Sequence, residues 1–103
     1  KAGEVLAGTP LPTAFALSNR PNPFNPQTSI EYQIPVASRV SIRVFDTSGR
    51  LVTTLIDGEQ AAGRYVTTWN GRTAAGESAA SGSYFVLMQS GANTARLRVT
   101  LMK

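Results

Sequence analysis

The stretch "TSIEYQIPVASRVSIRVFDTSGR", residues 28–50, decides the fold class. Ile30, Tyr32 and Ile34 alternate with Glu31 and Gln33, so one face of the segment is apolar and the other polar. After Pro35 the same period of two returns, with Val40, Ile42 and Val44 against Ser41 and Arg43. Side chains repeat every second residue only in an extended chain, so both segments read as half-buried β-strands. "DTSGR" then reads as a tight turn. The Asp46 side chain suits a bond to its own backbone, and Gly49 supplies the positive φ that a bulged hairpin requires.

Outward from this core the pattern continues. "LVTTLI" (51–56) is the returning strand and "DGEQAAG" (57–63) a loop punctuated by Gly58 and Gly63. "RYVTTWN" (64–70) is a further strand and "GRTAAGESAASG" (71–82) a longer loop. "SYFVLMQ" and "TARLRVTLM" form a last hairpin across "SGAN", with Leu97, Val99 and Leu101 alternating with Arg96, Arg98 and Thr100. "FALSN" (15–19) is a short first strand. No helical periodicity exceeds a turn or two. About seven short strands with regular turn signals indicate an all-β fold, an Ig-like antiparallel β-sandwich. Cysteine is absent, so the antibody Cys–Trp–Cys signature is absent with it.

Two segments fall outside the strand pattern. Between the first two strands the chain carries Pro21, Pro23 and Pro26. Proline lacks the N–H that a ladder needs and pushes its predecessor to extended geometry, so this crossing is expected to be stiff and unpaired, with Phe24 anchored on the core. "KAGEVLAGTPLPTA", residues 1–14, reads as an interdomain linker: small residues, two prolines, no periodicity. The expected division is thus linker 1–14 and domain 15–103. The chain opens on Lys1, which suits a segment of a longer protein.

Composition narrows the function classes. The 103 residues are 42% hydrophobic and 16% charged, which fits one compact domain. There is no histidine, the commonest general base and metal ligand. The formal charge is +4, but the arginines (20, 39, 43, 50, 64, 72, 96 and 98) are scattered singly without interleaved aromatics, which argues against nucleic-acid binding.

The candidates for chemistry are weak. The carboxylates are Glu4, Glu31, Asp46, Asp57, Glu59 and Glu77, and none forms an evident facing pair of the glycosidase kind. Asp57 and Glu59, expected in one loop, would offer two oxygens to a calcium ion but lack the spacing of a calcium loop. "SGS" (81–83) lacks the flanking pattern and base of a nucleophile elbow. Tyr65, Trp69, Tyr84 and Phe85 would serve either as a sugar-stacking platform or as core. Tyr65, Thr67 and Trp69 share one strand face, which favours core. The expectation is a non-enzymatic domain with no cofactor or metal.

Several short motifs, in order and in one frame over residues 18–103, resemble a known family. They are "PNPFNP" (21–26), "VFDTSGRLV" (44–52), "AAGRYVTTWNGR" (61–72), "SGSYFVLM" (81–88) and the basic end "RLRVTLMK". The chain resembles the C-terminal type A sorting domains of the type IX secretion system, and equally the Ig-like domain of flagellar hook-capping proteins. The resemblance implies a secreted multidomain parent that travels through the periplasm to the cell surface or the medium. Its implied partners are an outer-membrane translocon, a sortase-like peptidase and cell-surface polysaccharide, with the domain itself a monomer. Cleavage would fall before Phe15. The implied recognition residues are Pro21, Asn22 and Pro23, then Gly49, Arg50 and Val52, then Arg96, Arg98 and Lys103. The long "NGRTAAGESAASG" loop is closer to the hook-cap variant, so removal after export and retention at the surface both stay open. Two other readings stand beside sorting: a carbohydrate-binding module, which would show an exposed coplanar aromatic pair, and a structural spacer or assembly domain.

Overall fold

The computed structural model describes residues 4–5, 15–20 and 27–102. The strands are β1 (Glu4–Val5), β2 (Ala16–Arg20), β3 (Thr28–Ile34), β4 (Ser38–Asp46), β5 (Leu51–Gln60), β6 (Gly63–Trp69), β7 (Gly82–Ser90) and β8 (Asn93–Leu101). They form two four-stranded sheets, β1-β6-β3-β2 and β5-β4-β7-β8, with every pairing antiparallel. No helix occurs among the described residues. The Ig-like sandwich expected from the sequence is the architecture found, and its seven expected strands are β2 to β8.

The inner faces are the apolar positions of the alternating pattern. Ile30, Tyr32 and Ile34 from β3 meet Val40, Ile42 and Val44 from β4, and Val86, Met88, Val99 and Leu101 from β7 and β8. All are buried. Each such side chain contributes about 1.5–3 kcal/mol through loss of water contact. Trp69, 1% exposed, sits at one end of this core with its ring edge-on to Tyr84 at 5.1 Å. Its indole N–H donates to the Arg72 carbonyl at 3.0 Å. Tyr32 and Tyr65, directly opposite on β3 and β6, stack at 5.3 Å. The Tyr32 hydroxyl donates to Gln60 Oε1 at 2.7 Å, tying one sheet to the edge strand of the other.

One expectation changes, and one loop carries more structure than its composition suggests. "DGEQ" is strand, not loop: β5 runs to Gln60, with Asp57 opposite Ser41 and Glu59 opposite Arg39. The polar run that resembles a loop in composition is the outward face of an edge strand, where charged residues are the usual protection against stray pairing. Gly58 and Gly63 are therefore strand residues, and the chain passes from one sheet to the other through Ala61 and Ala62 alone. The 71–82 loop is expected to be long, and it is also built. Arg72 bridges Ser78, Ala79 N donates to the Gly71 carbonyl at 2.8 Å, and Ala79 is buried in the core.

β1 pairs with β6 through Glu4 opposite Val66 and Val5 opposite Tyr65, within the stretch read as linker. The proline crossing at 21–26, its Phe24 anchor and Lys103 lie outside the described residues.

Candidate functional site

The turn between β4 and β5 is organised by one carboxylate. Asp46 Oδ1 accepts from the Ser48 backbone N–H at 2.9 Å, the Ser48 hydroxyl at 2.7 Å and the Arg50 N–H at 3.0 Å. Its other oxygen takes the Arg50 side chain, Nε at 3.3 Å. These donors, led by the Ser48 hydroxyl and the Arg50 N–H, hold the Asp46 carboxyl down at a pKa of about 2. Gly49 N donates to the Asp46 carbonyl at 3.0 Å, and Gly49 has φ +87°. A Cβ there would meet nothing within 4 Å, so glycine is needed for conformation rather than for space.

The outer face of the β5-β4-β7-β8 sheet lies beside this turn. Its register sets Phe45 opposite Leu51 on one side and Phe85 on the other, and Phe85 opposite Arg98. The next row sets Arg43 opposite Leu87 and Leu87 opposite Arg96. The Arg96 guanidinium lies 5.6 Å from the centroid of the Phe85 ring. Arg98 donates twice to Ser83 Oγ, at 2.9 and 3.2 Å. Phe45, Phe85, Leu87, Arg96 and turn residues 46–49 line a groove of about 450 Å³.

The implied recognition residues divide accordingly. Gly49 and Arg96 line the groove, Arg98 is the register neighbour of Phe85, and Arg50 closes the turn. Val52 packs against the core and is half-buried. Pro21, Asn22, Pro23 and Lys103 lie outside the described residues. Phe45, Leu87 and Arg43 were not singled out by sequence reasoning. The signal was present: "YFVLM" (84–88) is apolar at successive positions, which in a strand means that both faces meet something apolar.

Other candidates fall elsewhere. Asp57 and Glu59 project from β5 rather than from a loop, and Asp57 is paired with Arg39 at 2.7 Å. Among the described residues no three His, Cys, Asp or Glu gather as metal ligands. Ser83 is an acceptor for Arg98. Tyr65, Trp69 and Tyr84 are buried. Phe85 faces outward, but Arg96 lies over its ring, an arrangement that counts against a sugar-stacking platform.

Comparison with known proteins places the domain. A family model described as the FlgD Ig-like domain matches residues 24–94. No curated protein sequence matches the chain. Among solved structures, FlgD from P. aeruginosa superposes with a TM-score of 0.57 at 29% identity, over 73% of this chain and 60% of that one. PorZ of Porphyromonas gingivalis, described as an essential bacterial surface component of the type IX secretion system, gives a TM-score of 0.59 at 24% identity, over 84% of this chain and 11% of that one. Dimeric latent PorU from P. gingivalis gives 0.66 at 15% identity, over 94% of this chain and 10% of that one. The chain thus spans 60% of that FlgD and about a tenth of PorZ and PorU, and the last two likenesses speak to the fold alone. With its two-sheet topology and a family match covering well over half its length, the chain belongs to the FlgD Ig-like domain family.

Proposed function

We propose that this domain is a non-enzymatic sorting and surface-attachment module. It directs a secreted parent protein through the type IX secretion system and presents the groove beside the β4–β5 turn to the export machinery. The observation that carries this reading is the convergence of Gly49, Arg50, Arg96 and Arg98. These residues are distant in sequence, yet they meet at one surface of a domain whose fold also occurs in a type IX secretion component. An outer-membrane translocon and a sortase-like peptidase are the partners this reading requires, and the destination is the cell surface or the medium.

The experiment is a fluorescent reporter fused ahead of residues 1–103 in a host with a type IX system. The fusion is expected at the surface or in the medium, and the reporter alone in the periplasm. Equal delivery of both defeats the sorting role.

The family match favours a second reading, a structural assembly module as in hook-capping proteins. On that reading the domain changes the assembly of its parent but not the parent's export, so the same fusion separates the two.

A further inference from the structure

We infer that the groove beside the β4–β5 turn binds an acidic peptide segment, which seats a bulky apolar side chain among Phe45, Phe85 and Leu87 and sets its carboxylates against Arg43 and Arg96. This deepens the sorting reading by naming the partner chemistry of the same surface.

An outward sheet face normally carries polar residues at alternate positions. Here three large apolar side chains occupy adjacent outward positions on β4 and β7, half-buried, around a groove of about 450 Å³. That volume lies in the usual range of ligand pockets, about 300–1,000 Å³, and so accepts inserted side chains rather than a flat contact alone.

Arg39 is neutralised by Asp57, and Arg50 is held by Asp46. Among the described residues the one carboxylate lining the groove, Asp46, has its oxygens engaged by Ser48 and Arg50. Arg96 lines the groove, and Arg43 stands opposite Leu87 in the next row, beside a hollow that it shares with Asp57. Among the described residues neither arginine has a carboxylate partner. The complement of this surface is therefore anionic.

The position of Arg96 over the Phe85 ring favours a peptide over a glycan. Sugars bind aromatic residues through the open ring face, and Arg96 lies over that of Phe85. An inserted Leu or Phe needs only the apolar edges and the Leu87 side chain. A neighbouring Asp or Glu then meets guanidinium groups that offer paired N–H donors in carboxylate geometry.

The test is selection of a random twelve-residue peptide display library on the folded 103-residue chain. Anisotropy titration of one labelled winning peptide follows, together with amide NMR shifts. The expected winners combine Asp or Glu with a Leu, Phe or Ile. Their shifts centre on Phe45, Phe85, Leu87 and Arg96, and binding weakens as salt rises. Arg43→Glu/Arg96→Glu is expected to weaken the winning peptide at least about tenfold. Arg20→Glu/Arg64→Glu, an equal charge change at exposed sites on the other sheet, is expected to leave it within about twofold. Leu87→Ser keeps the charge and removes the anchor, and it too is expected to bind weakly, with melting curves confirming that each variant folds. Basic or purely apolar winners overturn the inference, as does affinity unchanged by both groove variants. So does selective capture of anionic vesicles or anionic polysaccharide by the same arginines with no acidic peptide enriched. If the winning peptide binds in the groove while the reporter fusion is not exported, the sorting reading alone fails. If the fusion is exported while no acidic peptide is enriched or bound in the groove, the peptide inference alone fails.

Discussion

Asp46 and Arg50 close the β4–β5 turn on each other through three contacts. Asp46 N donates to the Arg50 carbonyl at 3.0 Å, while the Arg50 N–H and Nε donate back to the Asp46 carboxylate at 3.0 and 3.3 Å. The carboxylate thereby fixes the edge of the groove without being buried, since its function in the turn is to accept backbone donors.

That arrangement sets an acid response. The Asp46 pKa is lowered to about 2, so the stabilisation from its ionised form is present above the unfolded carboxylate value, about 3.9. It is lost as pH falls through that value toward about 2. Asp46→Ala is expected to melt below the parent at pH 6 and to close part of the gap by pH 2. Melting temperatures at both pH values check this, and a gap that stays constant contradicts it.

Gly49 carries a sharper backbone requirement. At φ +87° a side chain is strained even in open space. Gly49→Val is expected to cost about 1–2 kcal/mol or more, and Gly49→Asn distinctly less, because asparagine tolerates the left-handed region. Chemical denaturation of the two variants decides it, and equal midpoints count against the account.

Trp69 is core. Trp69→Ala is expected to cost about 3–5 kcal/mol, the range for truncating a large buried aromatic. Trp69→Phe, which mainly removes the indole bond to the Arg72 carbonyl, is expected to cost less. A loss under about 1 kcal/mol for Trp69→Ala in urea unfolding would put the ring outside the core.

Tyr32 predicts an alkaline limit. Burial, opposed by the Gln60 hydrogen bond, raises its pKa from 10.0 to about 12. The folded state favours the neutral phenol, so this stabilisation is complete below about pH 10 and declines as pH rises from 10 through 12. Tyr32→Phe has no proton to lose. Its stability relative to the parent is expected to improve between pH 9 and pH 12 by an amount on the order of 2 kcal/mol. Parallel pH-dependent urea titrations test it, and a constant difference contradicts it.

The inner faces were legible in the sequence because alternation is a property of the extended chain itself. Ile30, Tyr32, Ile34, Val40, Ile42 and Val44 are buried where the pattern puts them. The Asp46–Gly49 turn was legible because few residues serve those two positions. The end of β5 was not. Asp57 and Glu59 have loop-like composition, and only the partner strand reveals that they are an outward edge. The groove was half-visible. Arg96 was singled out by resemblance, but Phe45 and Leu87 join it in the groove, with Arg43 and Arg98 as their register neighbours, through β4–β7 and β7–β8 pairing that no single strand records.

The most direct measurement of the central claim compares fluorescent fusions to the parent domain and to Phe85→Ser/Arg96→Glu, with a fusion lacking the domain alongside, in strains with an intact or a disabled type IX system. The account predicts that the parent fusion reaches the surface or medium only in the intact strain. The groove variant, shown to be folded by its melting transition, stays in the periplasm with the domain-free reporter. Delivery of the parent fusion in the disabled strain, or delivery of the folded groove variant at the parent's level, would contradict it.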